Sequence, residues 1–439
     1  MAIQNSKTRI AAAVGAAMGA GLAAPAGAVV VVGGDNGWEV SFDGNVNAFY
    51  TVGDYDAGYV TETANKTASR VHTGFLPAFF SFNVKSPTID GMTGSARISF
   101  APTIQTGGAK TQFSSQSGSV GPVPGINGAT IDTREVVANL SGGFGEVSFG
   151  RTLSLFGRNA ILNDMTLFGV GFVPGGDSFG SVTFGRVGHG YTYPDFAARF
   201  AYTTPVVNGF QLAFGVYDPS TFDGVTAYNA GPGGVGSLLD ENHTPRFEGE
   251  VSYSTAFPGG NVKLWADGLW QDTESSCTGP AATAGGVAAQ CGDFSTVAWG
   301  VGTKVGYQGF EFVGYYHDNS GLGLTAQFNG NAAYVDAGGA LQERDGDGFY
   351  VQGTYTIATK TKVGVSYGEG NLDGLDVGDT AINGVNTHVE RQLWTVGVYH
   401  DVSSWLRLIA EYNRGELNTH TPGKNPGANT FSVGSFLFW

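Results

Sequence analysis

The chain has 439 residues, a formal net charge of −15 and only 13% charged side chains, whereas Gly, Phe and Tyr are frequent at 71, 30 and 18 residues. An acidic chain without a basic stripe is not expected to bind nucleic acid. Beyond residue 28 no apolar run approaches the roughly 18 residues of a membrane-spanning helix, so the sequence favours an all-β protein.

The first 28 residues are predicted to be a cleaved export signal. Lys7 and Arg9 precede an uncharged stretch of mostly Ala and Gly, and the sequence AGA at 26–28 has the small-x-small pattern of a cleavage site. The alternative, a membrane-spanning helix, requires a more strongly apolar stretch. Removing these residues, which carry two basic and no acidic side chains, changes the net charge from −15 to −17 and leaves 29–439 as a single domain.

Sixteen segments after the signal alternate apolar residues with polar or small ones. In the first, Val40, Phe42 and Tyr50 share one face and Asp43 and Asn47 the other, because successive side chains of a strand point in opposite directions. The predicted strands are 39–50, 75–84, 95–101, 133–140, 146–150, 197–203, 210–217, 247–256, 262–271, 297–307, 310–317, 349–357, 362–368, 391–400, 405–413 and 431–439.

The connections between these strands also alternate. Seven turns of a few residues alternate with eight longer loops rich in Gly, Asn, Asp and Thr, and both ends of the chain fall on the short-turn side. An even number of strands with this arrangement is typical of a bacterial outer-membrane β-barrel. Closure of a transmembrane antiparallel barrel also removes the unpaired edges that lipid does not tolerate.

The apolar faces are predicted to contact lipid. A soluble protein that buried sixteen apolar strand faces would need a very large core, whereas a bilayer can contact all of them. Aromatic residues near strand ends fit the interfacial girdles of such barrels. The candidates are Tyr50, Phe257, Trp270, Tyr307, Phe310, Tyr316, Trp394, Tyr399 and Trp405.

The stretch 151–186 does not alternate. Its apolar residues come in clumps, such as Leu155 with Phe156 and Leu167 with Phe168, and a return rich in Gly and Pro follows. It lies in the third long loop, after the fifth strand. We expect this stretch to fold inward and narrow a pore.

The sequence resembles the Gram-negative general porin family over essentially all of the mature chain. The resemblance rests on NLSGGFGEVSFGR at 139–151, on the segment 193–218 and on the aromatic last strand 431–439. It implies a homotrimer of sixteen-stranded barrels in the outer membrane of a Gram-negative bacterium, surrounded by lipid and lipopolysaccharide, with the third extracellular loop folded into each lumen.

The last strand departs from the family in one detail, because it ends in Trp439 where the family usually ends in Phe. Phe431, Val433 and Leu437 still share a face with Trp439. The resemblance implies that this strand is recognised by the barrel-assembly machinery.

The resemblance implies a pore constriction in which acidic residues of the loop face arginines of the barrel wall. The electric field between them orients polar solutes. Loop candidates here are Asp164, Asp177 and Arg158, and wall candidates are Arg97, Arg134 and Arg199. Parity points Arg97 and Arg199 into the lumen, whereas Arg134 faces lipid unless its strand bulges. The alternative for each arginine is a salt bridge at the rim.

The expected function is passive diffusion of ions and small hydrophilic solutes, with weak cation selectivity because of the net charge of −17 and the loop acids. If basic residues outnumber acids at the narrowest ring, the selectivity reverses. Alternatives are a closed barrel serving as adhesin or anchor, and a nutrient-specific, anion-selective porin. No enzyme is expected, because the G-x-S-x-G match at 364–368 lies within a strand rather than at a strand-to-helix turn.

No cofactor is expected, and the seven His form no metal-ligand pattern. The acids of the Gly-rich outer loops could bind Ca²⁺ or Mg²⁺ through carboxylate oxygens. The candidates are Asp373, Asp376 and Asp379, and separately Asp345 and Asp347. The alternative is that they are ordinary solvated turn residues.

We predict a disulfide between Cys277 and Cys291. They are the only two cysteines, lie in one predicted outer loop with thirteen residues between them, and mature in an oxidising compartment. Closing a loop of about 15 residues contributes roughly 3 kcal/mol in the chain-entropy model. Thiol titration of the unfolded, unreduced protein should detect no free thiol, and two free thiols per chain would contradict the pairing.

Overall fold

Sixteen antiparallel strands of the protein close into one barrel in a computed structural model. The structure describes residues 29–33, 36–59, 64–104, 131–174, 182–220, 226–227, 239–240, 244–273, 275–276, 283–284, 287–288, 293–328, 332–335, 341–374, 388–418 and 425–439.

The barrel strands follow one another in sequence. They are β1 Glu39–Tyr55, β2 Lys66–His72 with Phe79–Lys85, β3 Thr93–Pro102, β4 Ile131–Gly142, β5 Gly145–Leu153, β6 Phe196–Thr203, β7 Phe210–Tyr217, β8 Arg246–Phe257, β9 Gly260–Thr273, β10 Phe294–Tyr307, β11 Phe310–Ser320, β12 Asp345–Ile357, β13 Thr361–Leu372, β14 Val389–Asp401, β15 Leu406–Asn418 and β16 Gly427–Phe438. β16 pairs with β1 and closes the barrel. The predicted strand number and all-β fold class are confirmed.

Short turns connect the strands at one end of the barrel. The β10–β11 turn consists of Gln308 and Gly309, whose φ angles are 47° and 89°. Two positive φ values are what a two-residue turn between twisted antiparallel strands requires, and Gly adopts such values without a steric cost.

Helical structure is scarce in the described residues. The helix α1 spans Arg158–Asn163, and a 3₁₀ turn spans Met165–Phe168. No helix among the described residues is long and apolar enough to cross a membrane.

Strand β2 differs from the predicted continuous strand 75–84. Residues 66–72 pair with residues 49–55 of β1, and residues 79–85 pair with residues 39–45. The intervening residues 73–78 leave the barrel wall. In this interruption the N–H groups of Phe75 and Leu76 donate to the carbonyls of Gly169 and Leu167 at 2.9 and 3.1 Å. Pro77 has no N–H to donate to a sheet ladder, which is one physical reason for the break.

Strand β4 contains a bulge at Arg134. Ser99 of β3 pairs with Glu135, but the next residue, Phe100, pairs with Thr133, so the register passes over Arg134. The Arg134 side chain is buried, 3.2 Å from the Asp132 carboxylate. Because of the bulge, Arg134 does not point toward lipid, as strict alternation along the strand would require.

The two faces of each strand are distinct. Val301 of β10 is 44% exposed on the outside, whereas Ala298 on the same strand points inward and is buried. Eight of the nine proposed girdle aromatics are on the outer face by this alternation, but Tyr399 was wrongly assigned. Tyr399 is buried inside, because it has the opposite parity to the exposed Trp394 on the same strand.

The barrel interior contains an apolar core. Inward wall side chains pack with residues that follow β5 and with the interruption in β2. Its members include Phe49, Phe75, Leu76, Ala160, Ile161, Leu167, Val170, Tyr350, Ile409 and Phe436. Part of the space enclosed by the wall is therefore filled with close-packed side chains.

A charge placed on the outer face should destabilise the barrel more than the same charge placed inside. Val301→Arg puts a guanidinium toward lipid and should lower the free energy of unfolding by about 2–4 kcal/mol. Asn139→Arg, on the inward face of β4, is the matched control and should have little effect. Urea titration of the protein in lipid vesicles measures both, and equal losses would contradict the assignment of faces.

Candidate functional site

The chain between β5 and β6 forms the candidate site; residues 154–174 and 182–195 are called the inner segment. Its two ends are joined, because the Ser154 N–H donates to the Asp195 carbonyl at 2.9 Å. Gly157, with φ of 73°, precedes α1, which has no side-chain cap. Since the local sequence provides no cap, the irregular backbone depends on hydrogen bonds from the wall.

Strand β8 holds the beginning of the inner segment. One carboxylate oxygen of Glu248 accepts the N–H groups of Leu155 and Phe156 at 2.7 and 2.9 Å. Two residues along the same strand, Glu250 forms an ion pair of 3.0 Å with Arg158. Both glutamates therefore point inward and fix the first turn of α1.

Strand β12 holds the middle of the inner segment. The Tyr350 hydroxyl donates to the Ala160 carbonyl at 2.8 Å. The Gln352 amide donates to the Asn163 carbonyl at 2.7 Å and accepts the Met165 N–H at 2.8 Å. The end of α1 is thus bonded to a wall strand distant from β8 in the barrel order.

Strand β15 holds the part after the 3₁₀ turn. One oxygen of Glu411 accepts the N–H groups of Val170 and Gly171 at 2.9 Å each, and the other accepts the Tyr399 hydroxyl at 2.5 Å. A Cβ atom on Gly169 would collide with the same carboxylate. Glycine at this position therefore allows the close approach of the backbone to the wall.

Asp164 is buried within the inner segment. Its carboxylate accepts the N–H and hydroxyl of Thr166 at 2.9 and 2.7 Å and the Tyr191 hydroxyl at 2.8 Å. The Arg186 guanidinium, also buried, approaches it to 4.0 Å. Asp164 therefore caps the 3₁₀ turn, and its side chain has no exposed surface toward the lumen.

His189 shows how little water reaches this part of the inner segment. Its ring lies 4.4 Å from the Phe172 ring, centroid to centroid. Burial, together with the positive charge of Arg391, lowers the pKa of His189 to about 3, so the ring is neutral at physiological pH. His189 therefore adds no charge to the packed side of the segment.

The opposite side of α1 borders a water-accessible cavity of about 220 Å³. The wall side is formed by inward residues of β3, β4, β5, β6, β8 and β9. The lining residues are Arg97, Glu135, Val137, Asn139, Glu146, Ser148, Thr152, Leu153, Arg199, Ala201, Thr203, Glu250 and Lys263 on the wall, and Arg158, Asn159, Leu162 and Asn163 on α1.

The basic residues of this cavity differ in how they are compensated. Arg97 is 2.7 Å from both Asp43 and Glu135, so it is held between two carboxylates. The Arg199 guanidinium donates to the Leu153 carbonyl at 2.7 Å, and Lys263 donates to the Asn159 amide oxygen at 2.5 Å.

Both of these acceptors are neutral. Among the described residues no carboxylate lies within 4.0 Å of Arg199 or Lys263. The cavity therefore contains two cationic groups without a direct acidic partner.

The Gram-negative porin family model matches residues 11–420. The chain belongs to this family. Family and fold place the porin in the outer membrane as a multi-pass β-barrel channel. No curated protein matches the chain.

Three solved structures show the same fold at low sequence identity. The outer-membrane channel DcaP of Acinetobacter baumannii has a TM-score of 0.61 at 15% identity, covering 94% of this porin and 100% of that chain. OmpF of Salmonella typhi, in complex with daunomycin, gives 0.54 at 11%, with 94% and 100% coverage. An anion-selective porin from Comamonas acidovorans gives 0.53 at 13%, with 92% and 100% coverage.

The structure distributes the sequence candidates unevenly around the cavity. Arg97, Arg199 and Arg158 line it, while Arg134 is buried nearby over the Phe196 ring. Asp164 lies on the packed side of the inner segment, and Asp177 lies outside the described residues.

Of the lining residues, sequence reasoning selected only Arg97, Arg158 and Arg199 for the constriction, and it did not select, among others, Asn159, Glu250 and Lys263. Lys263 had the inward parity of its strand, and parity also assigns Glu250 to the inner face of β8. No sequence signal distinguished them from the many other inward residues.

The proposed metal and disulfide residues remain predictions. Asp373 is described, and its backbone carbonyl accepts a 2.7 Å hydrogen bond from Arg344. Asp376, Asp379, Cys277 and Cys291 lie outside the described residues. Within the described ranges no group of three His, Cys, Asp or Glu side chains could hold a metal ion.

Removing the charge of Glu411 should loosen the inner segment of the porin. Glu411→Gln replaces two charge-assisted bonds to backbone N–H groups by neutral ones and should lower the free energy of unfolding by about 1–3 kcal/mol. Current noise through single channels in a planar bilayer should increase. Glu416→Gln on the exposed rim of the same strand is the control, and an equal effect there would contradict the role of Glu411.

Proposed function

We propose that the protein is a water-filled channel for passive diffusion of ions and small hydrophilic solutes. The observation that carries this proposal is the charged cavity of about 220 Å³ between α1 and the wall. Its lining is mostly polar, and a polar surface of this kind stabilises water and dissolved solutes rather than close packing.

The arrangement of the inner segment supports a fixed constriction. One side of the segment is bonded to β8, β12 and β15 and packs into the apolar core. The other side presents Arg158, Asn159 and Asn163 to the cavity. Solutes would therefore pass along the charged side of α1, between it and Arg97 and Arg199.

A second candidate function is a closed barrel serving as an adhesin or structural anchor. The apolar core that fills part of the barrel interior favours it. The charged lining on the other side of α1 favours the channel, because unfilled space beside Arg, Lys and Glu side chains holds water.

We further propose that the mature porin begins after residue 28 and assembles as a homotrimer in lipopolysaccharide-containing membrane. OmpT of Vibrio cholerae, which shares the fold at 14% identity and a TM-score of 0.50, has been solved in a trimer form. Phe431, Val433 and Leu437 are exposed on the outer face of β16, where an assembly factor could contact them during insertion.

A bulky side chain in the cavity should reduce conductance. The wild-type protein in a planar lipid bilayer should give stepwise, ohmic current increments, and Asn139→Trp should make each increment smaller because the indole enters the cavity opposite α1. Val301→Trp on the outer face is the control and should conduct like the wild type. Absence of conductance in the inserted wild-type protein would favour the closed-barrel function.

A further inference from the structure

A second loop segment packs inside the long-loop end of the barrel. Residues 321–328, which follow β11 and are called the strap, are buried except for the half-buried Thr325. The Phe328 N–H donates to the Leu322 carbonyl at 2.8 Å, so the two ends of the strap lie close together. The strap has no charged side chain. Its composition and burial show that it packs against other parts of the protein.

The strap lies on the last part of the inner segment. The Tyr193 N–H donates to the Thr325 carbonyl at 2.9 Å, and Tyr193 forms a parallel bridge with Ala326. The Thr192 hydroxyl donates to the Gly323 carbonyl at 3.1 Å. The strap therefore covers the stretch of the inner segment that leads back to β6.

Two wall arginines on distant strands contact the strap. The Arg391 guanidinium of β14 donates to the Thr325 hydroxyl at 3.1 Å. The Arg246 guanidinium of β8 donates to the Gln327 amide oxygen at 3.4 Å and lies 5.8 Å from the centre of the Phe328 ring. The strap is thus attached to the wall at two places as well as to the inner segment.

Arg246 also links the strap to the beginning of the inner segment. Its guanidinium donates to the Ser154 hydroxyl at 3.2 Å and is 3.1 Å from the Glu248 carboxylate. Glu248 in turn accepts the N–H groups of Leu155 and Phe156. Because α1 begins two residues later, a displacement of the strap would act on the helix that borders the cavity.

The backbone of the strap is strained at Phe328. Its φ angle is 60°, in the left-handed region, which a bulky side chain rarely adopts. Such a conformation persists only where the surrounding contacts hold it, and here the Phe328 ring is fully buried under Arg246. Gly321 and Gly323 also have positive φ angles, 74° and 91°, which glycine adopts freely. Release of the strap would relax Phe328, and the two glycines can serve as its hinge.

We propose that the strap is a latch that sets the voltage at which the channel closes. In the docked position described above, it holds both ends of the inner segment. When the strap turns away at its glycine hinge, the inner segment is free to move into the cavity and obstruct it. A transmembrane voltage exerts force on charged groups inside the barrel, Arg158 of α1 among them, and the docked strap opposes their movement. This inference rests on the proposed channel function.

The first test locks the strap to the inner segment with a disulfide. Tyr193→Cys and Ala326→Cys place thiols on the bridged pair, and residues on neighbouring strands are about 4.8 Å apart, a separation that a disulfide can span. Cys277→Ser and Cys291→Ser remove the native thiols. In planar bilayers the oxidised channel should stay open at voltages that close both the wild type and the same variant after reduction. Ala326→Cys alone, with the same two serines, is the control and should respond to voltage equally with and without reductant.

The second test removes one docking contact and needs no cross-link. Thr192→Val deletes the hydrogen bond to the Gly323 carbonyl while keeping the side-chain shape. The ratio of closed to open channels at a fixed voltage should rise about fivefold, as expected for the loss of one neutral hydrogen bond. Thr303→Val, on the lipid-facing side of β10, is the matched control and should close like the wild type.

The outcomes separate the latch from the channel function. Equal voltage closure of the oxidised and reduced double-cysteine channel, with the disulfide verified by mass spectrometry, overturns the latch and leaves the channel function intact. The same holds if Thr192→Val closes like Thr303→Val, or if the wild type conducts but never closes under voltage. If the double-cysteine variant does not insert, Thr192→Val decides. A wild-type protein that inserts but never conducts overturns the channel function itself.

Discussion

The pairing of β16 with β1 gives the last strand a partner at the edge where the sheet would otherwise be open. Residues 45–55 run antiparallel to 428–438 without a register shift. In a bilayer no water satisfies an exposed backbone N–H or carbonyl, so a sheet in lipid must close on itself. Closure fixes which face of each strand meets lipid. It thereby directs the remaining polar side chains into one shared interior.

The same requirement explains how irregular backbone is accommodated inside the barrel. The inner segment has only α1 and one 3₁₀ turn, so its remaining N–H groups need other acceptors. Glu248, Gln352 and Glu411 provide them from three wall strands. Acidic side chains that point inward by parity are in this way used to hold the inner segment. The net charge of the chain is therefore a poor guide to the charge that is exposed in the cavity.

Alternation of side chains was strong enough to predict the strand number, the short turns and the inward position of Arg97 and Arg199. It failed where the period of two was broken. The interruption in β2 and the bulge at Arg134 each add residues that a strict parity count does not include. Tyr399 was misassigned because its aromatic type was considered without its parity.

The sequence by itself determined the barrel, because a period of two repeated sixteen times is a local property of each strand and lipid accepts all the apolar faces. It also indicated that most of 151–186 belongs to no strand, although β5 extends to Leu153. Only the tertiary structure decided which carboxylates carry charge into the cavity, since Asp164 is buried by Tyr191 and Arg186 while Glu135 and Glu250 reach the lining. Such choices depend on contacts between residues far apart in the chain, for which a single sequence contains no periodic signal.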